Sequence, residues 1–154
     1  MDFHGKNIVI AGAAAGVGKK AAEKFLQQGA RVMIGDINAD ALRSACSDLE
    51  QYGEVIAFTV DVTKLDQVQA MADAAIERFG KVDIWINNAG GCDDKPFLDT
   101  EPEAWDFEIK LNLYSVIHGC KAILPHFIEN KGGKIVNAVS DSARVGEYGL
   151  SVYA

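Results

Sequence analysis

Short, continuously apolar runs alternate with longer segments whose apolar positions recur at helical spacing, from residue 7 to the last residues. Residues 7–11 (NIVIA) form the first apolar run. Residues 19–28 follow as a helix, with Ala22, Phe25 and Leu26 on one face and Gly29 as its stop. Residues 31–35 (RVMIG) and 55–60 predict the second and third strands, separated by a helix over 39–52 that Gly53 ends. A third helix is predicted over 64–79, apolar at Leu65, Val68, Met71, Ala72, Ala75, Ile76 and Phe79, with Gly80 closing it. Residues 82–86 (VDIWI) predict the fourth strand, with Trp85 in its core, and 87–100 a polar loop. A helical pattern then runs from 103 to 129, open to division into two pieces, with Trp105 anchoring its start. Pro125 should kink or loosen its last turn. Residues 134–139 (KIVNAV) are the fifth strand, 140–150 read as loop, and 151–154 as the start of a further element, so the pattern looks unfinished.

Strands apolar on both faces, each followed by a helix, belong to a parallel sheet covered on both sides. Right-handed crossovers then favour an α/β doubly wound parallel sheet of order 3-2-1-4-5, the Rossmann fold, truncated before its last strands. No linker, internal repeat or low-complexity segment interrupts residues 1–154, which read as a single, incomplete domain.

Composition narrows the class. A chain of 154 residues, 49% hydrophobic and 24% charged, is ordinary globular protein. Its net charge of −7 argues against a nucleic-acid or anionic-membrane partner, since both demand basic patches. No apolar run reaches the roughly 18 residues of a membrane span, and the opening residues MDFHGK do not read as a signal peptide. Cys46, Cys92 and Cys120 form no CxxC pair and read as free thiols in a reducing compartment, so a cytoplasmic location is expected. His4, His118 and His126 lack metal-ligand spacing, and no metal is expected.

Candidate chemistry begins at Gly12, Ala15, Gly16, Val17 and Gly18, between the first strand and the first helix. Small residues there let the backbone approach a pyrophosphate, while a helix N-terminus supplies free N–H groups and partial positive charge. Glycines alone also serve a plain tight turn. Here a strand precedes, a helix follows, and Asp36 ends the second strand about 20 residues on, which together mark a dinucleotide-binding domain. The Asp36 carboxylate can accept hydrogen bonds from ribose hydroxyls and repels a 2′-phosphate. Ile37 follows it with no basic residue, so NAD is expected over NADP. Asp36 could equally serve a turn or cap the helix beginning near Ala39, and both uses can coexist.

The glycine loop, Asp61-Val62, Asn87-Asn88-Ala89-Gly90, Asn112, Ser140 and Tyr153 stand in the order and spacing of the short-chain dehydrogenase/reductase family, which the chain resembles from Gly5 to its last residue. One small departure is Ala11, where the family usually has Thr. The resemblance implies that Asp61 and Val62 line an adenine pocket and that Asn88, Ala89 and Gly90 sit beside the cofactor. It further implies that Ser140 meets the substrate carbonyl or hydroxyl, that Tyr153 transfers the proton, and that Asn112 holds a water in a proton relay. The bland alternatives are strand-end capping by Asn87-Asn88 and a helix kink satisfied by Asn112.

Oxidising an alcohol needs a base for the hydroxyl proton as well as a hydride acceptor. A free tyrosine titrates near ~10 and is a poor base at neutral pH. In the family a lysine four residues past the tyrosine lowers that value; here it would fall at position 157, beyond Ala154. The resemblance thus implies an NAD-dependent oxidoreductase acting on a small secondary alcohol or ketone, homo-oligomeric in full-length relatives, with the 154-residue chain alone inactive. The alternative is a non-catalytic NAD-binding or association module lacking the lysine. Residues 140–146 (SDSARVG) also resemble a form found in relatives acting on alicyclic or hydroxyacyl-CoA substrates. Arg144 would then face an anionic substrate, unless it pairs with Asp141 or Glu147 on the surface.

Overall fold

A computed structural model describes residues 2–154. Five strands, β1 (Asn7–Ala11), β2 (Arg31–Asp36), β3 (Val55–Thr59), β4 (Ile84–Asn87) and β5 (Lys134–Asn137), form one parallel sheet of order β3-β2-β1-β4-β5. The expected doubly wound order is therefore what the chain adopts. Helices α1 (Gly16–Leu26) and α2 (Ala39–Leu49) cover one face of the sheet. Helices α3 (Leu65–Phe79) and α5 (Ser115–Glu129) cover the other, while α4 (Pro102–Ile109) and a single turn α6 (Ser142–Val145) lie in the later connections.

Strand periodicity divides the core. Along β1, Ile8 and Ile10 face α1 and α2, whereas Val9 and Ala11 face α3 and α5. Val32 and Ile34 on β2 and Ile84 and Ile86 on β4 join the first layer; Met33 and Trp85 join the second. Each fully buried Ile or Leu contributes about 2 kcal/mol of transfer free energy. The chain leaves β1 toward β2 on one side and returns through α3 to β4 on the other, so the strand order reverses between β1 and β4. A crevice opens at the C-terminal ends of strands at such a reversal.

Several boundaries differ from the sequence expectation. Helix α1 starts at Gly16 rather than at residue 19, so Gly16, Val17 and Gly18 are its first turn. Strand β4 starts at Ile84, because the preceding Asp83 is engaged in end contacts, and β5 stops at Asn137. The 140–150 segment contains α6 rather than loop throughout. Helix α5 continues through Pro125 to Glu129. The backbone bond that proline cannot make falls at Lys121 on the exposed side, while Ala122, Ile123 and Phe127 stay buried.

The break in the long helical stretch lies instead at Lys110–Tyr114, one π-helical turn between α4 and α5. Ser115 N–H reaches back five residues to the Lys110 carbonyl, and the Ser115 hydroxyl takes the Leu111 carbonyl that an α-helix would have used. Trp105 is held near the start of α4 by its N–H on Thr100 Oγ1 (2.7 Å) and by stacking on Phe97.

Candidate active site

The glycine loop folds as a tight turn over the end of β1. Gly12 and Ala13 N–H both donate to the Gly35 carbonyl of β2 (2.7 and 3.0 Å), and Asn88 Nδ2 donates to the Gly12 carbonyl (2.6 Å). Gly12 has φ +84°, and a Cβ there would lie 2.5 Å from the Ala89 backbone. Gly16 has φ +55°, yet a Cβ there would meet nothing within 4 Å. The two glycines thus do different work: Gly12 lets the turn pack on β4, whereas Gly16 faces open space at the mouth of α1. No side chain caps that helix, and its first turn carries no acidic residue. Such an end is suited to a phosphate.

Asp36 closes the other side. Its Oδ2 accepts from Ala14 N–H and its Oδ1 from Asn38 N–H, each at 3.1 Å. Asn38 caps α2 by accepting from Ala41 N–H at 3.0 Å, so Asp36 is not the cap. At the end of β3, Asp61 N–H donates to Gln67 Oε1 (2.8 Å), while its carboxylate accepts from Thr63 Oγ1 (2.6 Å). His118 Nδ1 lies 3.0 Å from the Val62 carbonyl, which ties this loop to α5.

Gly12, Ala15, Gly16, Val17, Asp36, Ile37, Asp61, Val62, Asn88, Ala89 and Gly90 all line one cleft of about 540 Å³. Gly18 does not; it is buried against the Gly12 carbonyl and the Asn88 side chain. Val60, Thr63, Phe107 and Leu111 complete the wall and were absent from the sequence reading. Val17 and Ile37 are 76% and 68% exposed, an apolar pair at the cleft that a flat aromatic base would cover.

A second cavity of about 320 Å³ shares Asn88, Ala89 and Gly90 with the first and is lined further by Asn112, Ser140, Ala143 and Tyr153. The three residues singled out for catalysis therefore meet at one place. Asn112 comes from the π turn. Its Nδ2 donates to the Gly91 (2.7 Å) and Glu108 (3.0 Å) carbonyls, and its Oδ1 accepts from Gly91 N–H (3.0 Å). Both amide protons are thereby committed, and one Oδ1 lone pair remains for a water. Ser140 follows β5, whose Asn137 Oδ1 accepts from Asn87 Nδ2 (2.8 Å); Asn87 Oδ1 in turn accepts from Trp85 Nε1 (2.7 Å). This ladder, buried at Trp85 and Asn87 and exposed at Asn137, fixes the ends of β4 and β5 side by side.

Arg144 extends to solvent, 83% exposed, and pairs with Asp141 at 3.4 Å. Cys92, next to the shared wall, is exposed, and slight desolvation together with the surrounding carboxylates raises its thiol pKa. Among the described residues no cluster of His, Cys, Asp or Glu is suited to a metal, and no helix is long and apolar enough to cross a membrane.

The family model for short chain dehydrogenase matches residues 6–154. The 7α-hydroxysteroid dehydrogenase of Escherichia coli K12 is 38% identical over 155 residues, a match covering the whole of this chain and 60% of that protein. A 3-oxoacyl-[acyl-carrier-protein] reductase of Thermotoga maritima is 34% identical, covering the whole of this chain and 63% of its own length. Among solved structures, a 7α-hydroxysteroid dehydrogenase complexed with NADH and 7-oxo glycochenodeoxycholic acid superimposes with a TM-score of 0.93 at 37% identity. That match covers 99% of this chain and 60% of the other. The chain thus spans about three-fifths of the length of these relatives. With the sheet order, the glycine turn and the paired cavities in agreement, the chain belongs to the short-chain dehydrogenase/reductase family.

Proposed function

We propose that the protein carrying this chain is an NAD-dependent oxidoreductase that interconverts a secondary alcohol and a ketone. The single observation that carries the proposal is the convergence of Asn112, Ser140 and Tyr153 on a cavity sharing the Asn88–Gly90 wall with a dinucleotide-sized cleft. The open cradle over Gly16, the uncapped α1 and the apolar Val17–Ile37 pair fit a dinucleotide. When bound, the nicotinamide would exchange a hydride with the substrate carbon. Gly12, Ala15, Gly16 and Val17 would form the pyrophosphate turn, with Gly18 packed beneath it, Asp36 would accept from the ribose hydroxyls, and Asp61 and Val62 would flank the adenine. Asn88, Ala89 and Gly90 would sit beside the cofactor, where its cleft adjoins the substrate cavity. Ser140 would donate a hydrogen bond to the substrate oxygen, and Tyr153 would take or return its proton. Asn112 holds Gly91 in place and offers its remaining lone pair to a relay water.

Asp36 supports NAD over NADP, because a 2′-phosphate beside that carboxylate meets like charge and no arginine or lysine at Ile37. The named activities of the relatives, a 7α-hydroxysteroid dehydrogenase and a 3-oxoacyl-[acyl-carrier-protein] reductase, support an alicyclic or hydroxyacyl alcohol as substrate. Residues 1–154 are read as part of one dinucleotide-binding domain in a homo-oligomer. Free Cys46, Cys92 and Cys120 support a reducing cytoplasm. Fluorescence titration is expected to give NADH binding tighter than NADPH by about tenfold or more (~1.4 kcal/mol). Assays of the intact protein with cyclic ketones and 3-oxoacyl thioesters are expected to consume NADH. Tighter NADPH binding would overturn the cofactor assignment, and saturable NADH binding without turnover of either substrate class would favour the non-catalytic module.

A further inference from the structure

Ser142 sits in the single turn α6, two residues beyond Ser140, and is only 3% exposed. A buried hydroxyl is costly unless it has a partner, and here the partner is Ser140. Ser142 Oγ lies 2.7 Å from Ser140 Oγ, and Ser142 N–H donates to the same oxygen at 3.2 Å. Among the described residues the Ser142 hydroxyl makes no other hydrogen bond. Ser140 is half-buried and lines the 320 Å³ cavity, whereas Ser142 does not reach it.

A hydroxyl oxygen has two lone pairs and one proton. With the Ser142 N–H and O–H directed at Ser140 Oγ, both lone pairs are occupied, and the capacity left to Ser140 is donation of its own proton. We propose that Ser142 is a positioning residue that fixes Ser140 as a hydrogen-bond donor toward the substrate oxygen. This rests on the dehydrogenase reading above and deepens it. A free serine hydroxyl can donate or accept. A ketone oxygen can only accept, so the donor sense is the productive one in reduction. In oxidation the substrate hydroxyl directs its proton to Tyr153, and its oxygen again needs a donor on the other side. One orientation of Ser140 therefore serves both directions, and Ser142 holds it without contacting substrate. Preset orientation of this kind acts on turnover more than on binding.

A double-mutant cycle on the intact protein tests this. Ser142→Ala is expected to lower kcat about tenfold, with the substrate KM and the NADH Kd within about twofold of wild type. Ser142→Thr, which restores the hydroxyl, is expected to recover most of the loss. In a Ser140→Ala background, Ser142→Ala is expected to change nothing further, because its only route to the substrate has been removed. Alanine is smaller than serine and introduces no clash, so the cycle stands even where the bulkier threonine fails to fold. Wild-type turnover after Ser142→Ala would overturn the proposal, as would an equal loss in the Ser140→Ala background. Absence of NADH-dependent turnover in the wild type would instead overturn the dehydrogenase reading itself.

Discussion

At the scale of single residues, Gly12 and Gly16 share positive φ angles but differ in surroundings, and they should fail differently. Gly12→Ala drives a methyl into the Ala89 backbone 2.5 Å away, so the turn and the end of β4 cannot both keep their places. A loss of about 2–4 kcal/mol is expected, read as a lower midpoint in urea unfolding. Gly16→Ala meets open space and bears only left-handed strain of about 1–2 kcal/mol, yet its methyl enters the cleft. Its expected signature is a weakened NADH affinity out of proportion to its stability loss. Asp36 has two duties as well. Asp36→Ala removes the acceptor for Ala14 and Asn38 N–H, costing about 1–2 kcal/mol, and also removes the charge that the 2′ position of the proposed cofactor would face. NADH and NADPH dissociation constants should converge in this variant; an unchanged ratio would assign discrimination to another residue.

Secondary-structure elements meet at the foot of the sheet through Asp83, one residue before β4. Its carboxylate accepts from Asn7 N–H (3.0 Å) and pairs with Lys81 (3.0 Å) and Lys6 (3.4 Å), while its backbone joins β1 and β5. Burial alone would raise its pKa, but the Asn7 amide and the two lysines outweigh that and hold it below the usual carboxylate range. A carboxyl group depressed on folding stabilises the native state above its unfolded value near ~4, and the contribution fades as pH falls through the lower folded value. Asp83→Asn is therefore expected to cost about 1–2 kcal/mol at neutral pH, with the gap closing in acid, when unfolding is followed by urea titration from neutral to acidic pH. The periodicity of apolar residues sufficed for all five strands and for α2 and α3, because these elements are set by which face they bury. A division of the long helix and a kink at Asn112 were open in the sequence, but the π register was not legible: it depends on Asn112 bonding Gly91 across the fold and on Ser115 capturing the Leu111 carbonyl. Phe107 and Leu111 were likewise invisible as cleft residues, since on a helix pattern they are indistinguishable from ordinary core positions. The glycine loop, Asp36, Ser140 and Tyr153 could be singled out because they stand in motifs of fixed spacing, and they line the two adjoining cavities. Ser142 carried no such signal, and only its burial and its contact with Ser140 reveal it.

Over the whole molecule, the two faces of the sheet are covered but its two edges are not equivalent. Strand β3 is half-buried along most of its length, whereas β5 is largely exposed, with Val136 at 48%. On the adjoining helices Phe107, Leu113, Ile117, Leu124 and Ile128 are also exposed, Ile128 at 74%. An open parallel edge beside apolar side chains is a template for pairing with another chain. A net charge of −7 opposes contact between copies, and salt screens that repulsion. The 154-residue chain by itself is therefore expected to associate as concentration rises, and more so at high salt, in sedimentation velocity runs. Val136→Lys places charge on the edge strand, and Ile128→Lys places it on the helix face; neither side chain belongs to the buried core. The pair should shift the population to monomer while leaving the far-ultraviolet spectrum and NADH binding unchanged. Persistent association in that variant would locate the contact elsewhere, with half-buried β3 as the remaining edge of the sheet.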